Sequence, residues 1–202
     1  RLKLHGLDGE RERVNRQAVE AVQRAVAGQA LVSASVGPSG QLLEPYGDTS
    51  PDAVEEAFAE QVAVLASAGA DVICIETMGD LTEATRAVKA AKAVAPGVPV
   101  MATMTFEPTP RGYFTVMGVS VERAAAGLEA AGADVVGSNC GTGIEECPHA
   151  VGDTSERLRM SPLARATSTP SMTMSRQPGT SVATIGLAMA AASSSERGMP
   201  SR

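Results

Sequence analysis

In "GADVVGSNCGTG", residues 132–143, an apolar run ends in Ser138, Asn139 and Cys140 before glycines take over. A thiol and an amide at the carboxyl end of a buried strand stand where α/β barrels project their reactive groups. There a deprotonated cysteine serves as a metal ligand or a nucleophile. The plainer role for a free cysteine is a small buried hydrophobe, and the residues alone leave both open. Glu76 closes a second such run, "DVICIET" (71–77), at the place in its strand that Asn139 holds in the later one. A carboxylate at the end of a core strand needs a partner. Two are available to it: the ammonium group of a substrate, or a loop arginine such as Arg111. Ser35, in "SASVGPSG", is a further hydroxyl at the end of a short apolar strand.

Other candidates carry less chemistry. Cys74 sits mid-strand between Ile73 and Ile75, where packing is its expected role. Cys147 and His149 follow Cys140 closely enough to form a metal clip, but one short of a fourth ligand. Asn15 and His5 are expected to be solvent or capping groups. The "GTG" of 141–143 has the composition of a phosphate-binding turn.

The elements that must position these residues alternate in period. Residues 10–27 put Val14, Ala18, Ala21, Val22 and Ala25 on one helical stripe. A strand, "ALVSASVGPSG", stops at Gly37-Pro38. A second helix begins with Ser50 as N-cap and Pro51 in its first position, burying Val54, Phe58, Val62 and Leu65. After "DVICIET", Asp80 and Glu83 have capping-box spacing for a third helix that ends near Gly97. The strand "VPVMATMTF" (98–106) leads into a twelve-residue loop, "EPTPRGYFTVMG", and a fourth helix, "SVERAAAGLEAAG", feeds the strand of Cys140. "LASAGADVICIET" and "LEAAGADVVGSNC" repeat one αβ unit. Apolar strands separated by helices call for a parallel sheet with right-handed crossovers, in a barrel or an open doubly wound sheet. No Gly-x-Gly-x-x-Gly follows any strand, which removes the main support for a dinucleotide fold.

At 202 residues, 44% hydrophobic and 20% charged, the chain has room for one sizeable core. Its net charge of −6 and lack of a Lys/Arg cluster give no support for a nucleic-acid partner, and none is expected. No run approaches the roughly 18–20 apolar residues of a membrane span. The first residues lack the apolar run of a secretory signal. Three cysteines suit a reducing compartment better than a disulfide framework, and the expected location is cytoplasmic. Beyond residue 147 the composition turns to Ser, Thr, Arg, Met and Pro. The stretch 148–202 is expected to be an irregular tail, either disordered or translated out of frame, and its Met content favours the second. Within it only "VATIGLAMAAA" (182–192) is apolar enough to pack, as a short helix.

"LVSASVGPSGQLLEP", "FAEQVAVLASAGADVICIETMGDLTEATRAVKAAK", "VPVMATMTF" and "GADVVGSNCGTGIEE" together resemble, in order and spacing, the homocysteine methyltransferase family over residues 1–147. "RGYFTVMG" and "SNCGTGIEE" look closest to its methionine-synthase-like, cobalamin-linked branch. The resemblance implies an α/β fold: here a partial (β/α)8 TIM barrel of about four parallel strands with helices, followed by the tail. It implies zinc held by three cysteines. Gly137, Ser138, Asn139 and Cys140 match the family's Gly-x-Asn-Cys motif, whereas the Gly-Gly-Cys-Cys motif carrying the other two has no counterpart. Glu76 matches the acidic residue that holds the homocysteine amine, and Asn139 and Ser35 would line the same substrate site. Zinc lowers the pKa of a bound thiol, so a thiolate is available to accept a methyl group, giving methionine. Cobalamin, if used, would be carried by another domain or by a cobalamin-binding partner.

The family's opening strand and its last two strands also have no counterpart. The expectation is therefore a fragment of a homocysteine S-methyltransferase, with the question of its own activity left open. Two alternatives stand beside it: a barrel lyase or isomerase using Glu76 as acid–base group, and a non-catalytic αβ remnant that binds a partner through open strand edges.

Overall fold

The structure, a computed structural model, describes residues 2–141 and the backbone of residues 181–185. Two short 3-10 turns, Leu2–His5 and Asp8–Glu10, precede helix α1 (Arg11–Val26). Strand β1 (Ala30–Val36), helix α2 (Pro51–Ser67), strand β2 (Val72–Met78), helix α3 (Leu81–Val94) and strand β3 (Val100–Met104) follow. A hairpin of β4 (Glu107–Thr109) and β5 (Gly112–Phe114) precedes helix α4 (Val121–Ala131) and strand β6 (Val135–Ser138). Strand β7 (Ser181–Ile185) completes the described residues.

The main sheet is parallel, in the order β6-β3-β2-β1-β7. From β1 to β6 its strands lie side by side in chain order, and α1 packs on α2, α2 on α3 and α3 on α4. A doubly wound sheet would divide its helices between two faces. Here Val32, Ala34 and Val36 of β1, Ile73 and Ile75 of β2, and Val100, Ala102 and Met104 of β3 all join one core with the helices. The alternate residues Val72, Cys74 and Met101, with Val135, form a separate, smaller cluster on the opposite face. Helices on one side and a narrow packed interior on the other define a partial (β/α)8 barrel.

That core is built from small side chains. Helix α3 buries Ala84, Ala87, Val88, Ala90 and Ala91, so it fits closely against both α2 and the sheet. Ser50 caps α2 by accepting from the Ala53 amide at 3.1 Å, and Val54, Phe58, Val62 and Leu65 are buried as their spacing predicts. Three expectations shift. The buried stripe of α1 runs through Asn15 and Val19, with Val22 and Val26 against the core, while Ala21 and Ala25 stay exposed. Rotating the helix so that valines replace alanines in the core buries more apolar area. Asn15 tolerates burial because its amide donates to the Arg11 carbonyl at 2.7 Å and accepts from Gln61 at 3.2 Å; it is neither a solvent nor a capping group, whereas His5 is exposed. Residues 107–118 contain a hairpin, for which Pro110-Arg111 supplies the turn between the paired Thr109 and Gly112. Where a helix is expected over 182–192, residues 182–185 belong to a strand, 181–185, parallel to β1; residues 186–192 lie outside the described residues.

The repeated Gly-Ala-Asp turn is a strand clamp. The Asp71 carboxylate accepts from the Val32 amide at 2.7 Å, and its own amide donates to the Val32 carbonyl at 2.8 Å. Asp134 does the same to Val100, at 2.8 Å in both bonds, and its carboxylate also takes Lys92 Nζ at 2.9 Å. Each clamp ties a strand's entry to its neighbour at the amino-terminal face, where barrels keep stability rather than chemistry. Asp71→Ala and Asp134→Ala are each expected to lower unfolding stability by ~1–3 kcal/mol. The signature is a lower urea midpoint at unchanged slope, with alkylation of Cys140 at the far end of the barrel proceeding at the wild-type rate.

Candidate active site

The inner face of the sheet changes character along the strands. Near the amino-terminal end it is apolar, with Val72, Cys74, Met101 and Val135 packed together. At the carboxyl end it presents Ser35, Glu76, Thr103 and Asn139 as two hydrogen-bonded pairs, Ser35 with Glu76 and Thr103 with Asn139. All four sit at strand ends because alternation puts every second residue of a strand on that face.

Strand β2 departs from this alternation at one point. Its register against β3 shifts between Ile75 and Met78, so that one extra residue is accommodated. Glu76 and Thr77 occupy the bulge, and Met78 returns to the helix-side core. Thr77 carries the turn with φ 62°, a left-handed conformation that is unusual for a β-branched residue. Such a backbone costs about 1–3 kcal/mol and persists only where its surroundings hold it.

Asn139 does the holding. Its Oδ1 accepts from the Thr77 amide at 2.9 Å and from Thr103 Oγ1 at 2.8 Å. Its Nδ2 donates to Thr77 Oγ1 at 2.8 Å. A backbone amide can only donate, so the bond from Thr77 settles which end of the Asn139 amide is oxygen. The two bonds to Thr77, at about 0.5–1.5 kcal/mol each, are of the size needed to offset the strain. Because β3 lies between β2 and β6, this side chain spans three strand ends.

Cys140 follows directly, exposed at the rim, with its own φ at 58°. Its sulfur lies 3.6 Å from both Thr77 Oγ1 and Asn139 Nδ2. Gly141 continues the turn at φ 83°, and a Cβ there would come within 2.7 Å of the Phe106 carbonyl oxygen. The first glycine of "GTG" is thus required by backbone crowding; residues 142 and 143, Cys147 and His149 lie outside the described residues.

Glu76 is half-buried and takes hydrogen bonds on both oxygens, from Ser35 Oγ on Oε1 and from Cys74 Sγ, at 3.9 Å, on Oε2. Arg111 stacks over Phe114 in the hairpin, with its guanidinium carbon 5.7 Å from the ring centre. Burial, together with repulsion from and hydrogen bonding to Glu76, pushes the Cys74 thiol from 9.0 up to about 12. Cys74 is therefore held as a neutral thiol inside the barrel. The loop after β1 is pinned separately. Glu83, expected to close a capping box with Asp80, accepts instead from the Ser39 amide at 2.6 Å, while Asp80 caps α3 by accepting from Thr82 at 2.7 Å.

The structure therefore brings Ser35, Glu76, Asn139 and Cys140 to one rim. Thr77, next to Glu76 in β2, contacts Asn139 and Cys140, and Thr103 holds Asn139 to β3; neither is among the candidates expected from the sequence. Thr103 was legible as the one hydroxyl in "VMATM", in alternation with Met101; Thr77 was hidden by the bulge.

The donor set does not fit a zinc ion by itself. Among the described residues no three His, Cys, Asp or Glu side chains converge. Cys140 is the one thiol at the rim among the described residues, and Cys74 is sequestered as a neutral donor to Glu76. A zinc site that binds a substrate thiol needs three protein ligands and an open position.

A half-barrel with a carboxylate, an amide and a thiol on its carboxyl-terminal rim describes a binding or catalytic α/β domain. The homocysteine S-methyltransferase family model matches residues 1–185, and the chain belongs to that family. Methionine synthase of Mycobacterium leprae is 30% identical over 133 residues, covering 64% of this chain and 11% of the relative. Methionine synthase of Mycobacterium tuberculosis is 32% identical over 119 residues, covering 57% of this chain and 10% of the relative. The chain thus spans about a tenth of the length of the curated relatives it matches. Among solved structures, the homocysteine methyltransferase MmuM of Escherichia coli superposes with a TM-score of 0.60 at 21% identity. That superposition covers 73% of this chain and 57% of the other, and establishes the fold.

Two outcomes are expected from the thiols. Treating the native chain with iodoacetamide and mapping the peptides by mass spectrometry should find Cys140 modified and Cys74 spared until denaturant is added. The folded Cys74 thiol ionises at higher pH than the unfolded one. Its contribution to stability is therefore complete below about 9 and is lost as pH rises towards about 12. Urea titrations of Cys74→Ala across this window should show a shallower fall in stability than the wild type.

Proposed function

We infer that the chain provides the homocysteine-binding face of a homocysteine S-methyltransferase, the reaction in which a methyl group passes to the substrate sulfur to give methionine. The observation that carries this reading is the shared rim. Glu76 and Cys140 end segments on either side of β3 that are joined across it through Thr77 and Asn139, so an amino-acid thiol can present its ammonium to one and its sulfur to the other. Glu76 accepts the ammonium, and Ser35 holds the carboxylate's orientation from the adjacent strand. The apolar cluster of Val72, Cys74 and Met101 closes the barrel beneath, so the polar groups act on a ligand entering from the rim.

Zinc, which family resemblance implies, would supply a low-pKa substrate thiolate. The rim offers the Cys140 sulfur towards it, and the described residues offer no second cysteine there. The methyl donor is proposed to reside on a cobalamin-bearing domain or partner, a reading supported by the methionine synthase relatives. A cytoplasmic setting is proposed from the free thiols Cys74 and Cys140; among the described residues no helix is long and apolar enough to cross a membrane. That Cys140 is the one rim thiol among the described residues favours a second reading, in which this chain binds homocysteine without turning it over.

Calorimetric titration with homocysteine tests the assignment. Glu76→Gln should weaken binding by about tenfold or more, the usual effect of losing a charged hydrogen-bond partner. Equal affinity in the two proteins would remove the amine-binding role. Metal analysis of the purified chain should find less than one zinc per molecule; a full equivalent that disappears in Cys140→Ser would show that residues outside the described ones complete the site. Methionine formation in the presence of a methylated cobalamin donor separates turnover from binding alone.

A further inference from the structure

We propose that Asn139 is a positioning residue: its side-chain amide fixes Thr77 in the left-handed bulge of β2 and so aims the Glu76 carboxylate at the substrate's amine. The proposal rests on the homocysteine reading above and adds to it the device that makes Glu76 selective.

The hydrogen-bond inventory leaves Asn139 little freedom for a ligand. An amide oxygen has two acceptor positions, and these are filled by the Thr77 amide and the Thr103 hydroxyl. An amide nitrogen has two hydrogens; one goes to Thr77 Oγ1 and the other faces Cys140 Sγ at 3.6 Å. The side chain is thus a fully engaged connector of β2, β3 and β6. What it connects is the strained residue next to Glu76. Without the extra residue of the bulge, Met78 would leave the helix-side core, where it is fully buried, and the strand would leave Glu76 at a different height on the rim. Thr77 has little intrinsic preference for φ 62°, so the bulge depends on what holds it. Thr105 supports the arrangement from the other side, its hydroxyl donating to the Asn139 carbonyl at 3.1 Å.

The test compares homocysteine with 4-mercaptobutyrate, the same molecule without its amine, by calorimetry on the full 202-residue chain. In Asn139→Ala, homocysteine should bind about tenfold more weakly while 4-mercaptobutyrate changes by less than about twofold. A general structural defect would weaken both ligands alike, and that result, or no change in either, overturns the proposal. Glycine adopts the left-handed region without penalty. Adding Thr77→Gly to Asn139→Ala should therefore recover part of the lost homocysteine affinity, and a further loss would count against the mechanism. Should Asn139→Ala fail to fold, Thr77→Val carries the same comparison, because it removes the hydroxyl that accepts from Asn139 Nδ2 and keeps the side chain's shape. If the wild type does not prefer homocysteine to the amine-free analogue, the amine-binding role of Glu76 fails. Hydrogen exchange of the Thr77 amide then judges the clasp independently: protection in the wild type that is lost in Asn139→Ala supports it, and equal protection in both overturns it.

Discussion

One extra residue in β2 governs the carboxyl-terminal rim. A parallel strand buried on both faces has no free choice of orientation, since each residue goes to the helix side or to the interior. Inserting Thr77 lets Ile75 and Met78 both face the helices while Glu76 faces inward. The local backbone is unfavourable for threonine, and the Asn139 amide offsets that cost through bonds to both its N–H and its hydroxyl. Strain, polar network and functional groups thus occupy the same few residues, a concentration common to binding and catalytic sites.

The two ends of the barrel divide the work. At the amino-terminal face, Asp71 and Asp134 satisfy strand amides and tie each strand to its neighbour. At the opposite rim, side chains of the same strands engage one another and present Glu76 and Cys140 outward. Between them lies a thin apolar layer that includes Cys74, whose thiol burial keeps protonated. Two cysteines of one half-barrel, on β2 and just beyond β6, therefore have different chemistry. Cys140 is exposed beside two polar groups, whereas Cys74 faces a carboxylate inside a low-dielectric interior.

Much of this was legible in the sequence. Four helices and four parallel strands follow from apolar period and capping residues, and the repeat "GAD" announced a recurring turn whose aspartates prove to be clamps. Glu76 and Asn139 stood out because polar groups at the end of core strands are costly without a purpose. The hairpin at 107–114 and the strand at 181–185 were not legible as such. Short exposed strands carry little periodic signal, and a strand of five residues has a pattern that a helix can also bear. The facing of α1 was misjudged by one position, since alanines define a weak stripe and burial of valine decides the rotation.

The sequence by itself determined the family, the order of αβ units and the residues that end each strand, because these follow from local propensity and from the two-residue period of a strand. Tertiary structure alone decided which side chains meet. Thr77 and Thr103 became part of the site only when β2, β3 and β6 were laid side by side, and Glu83 left its expected cap for Ser39 for the same reason. Hydrogen-bond partners separated by more than thirty residues leave no local trace: the bonds of Asn139 to Thr77 and Thr103 depend on the register of the sheet, and register is a property of the assembled strands.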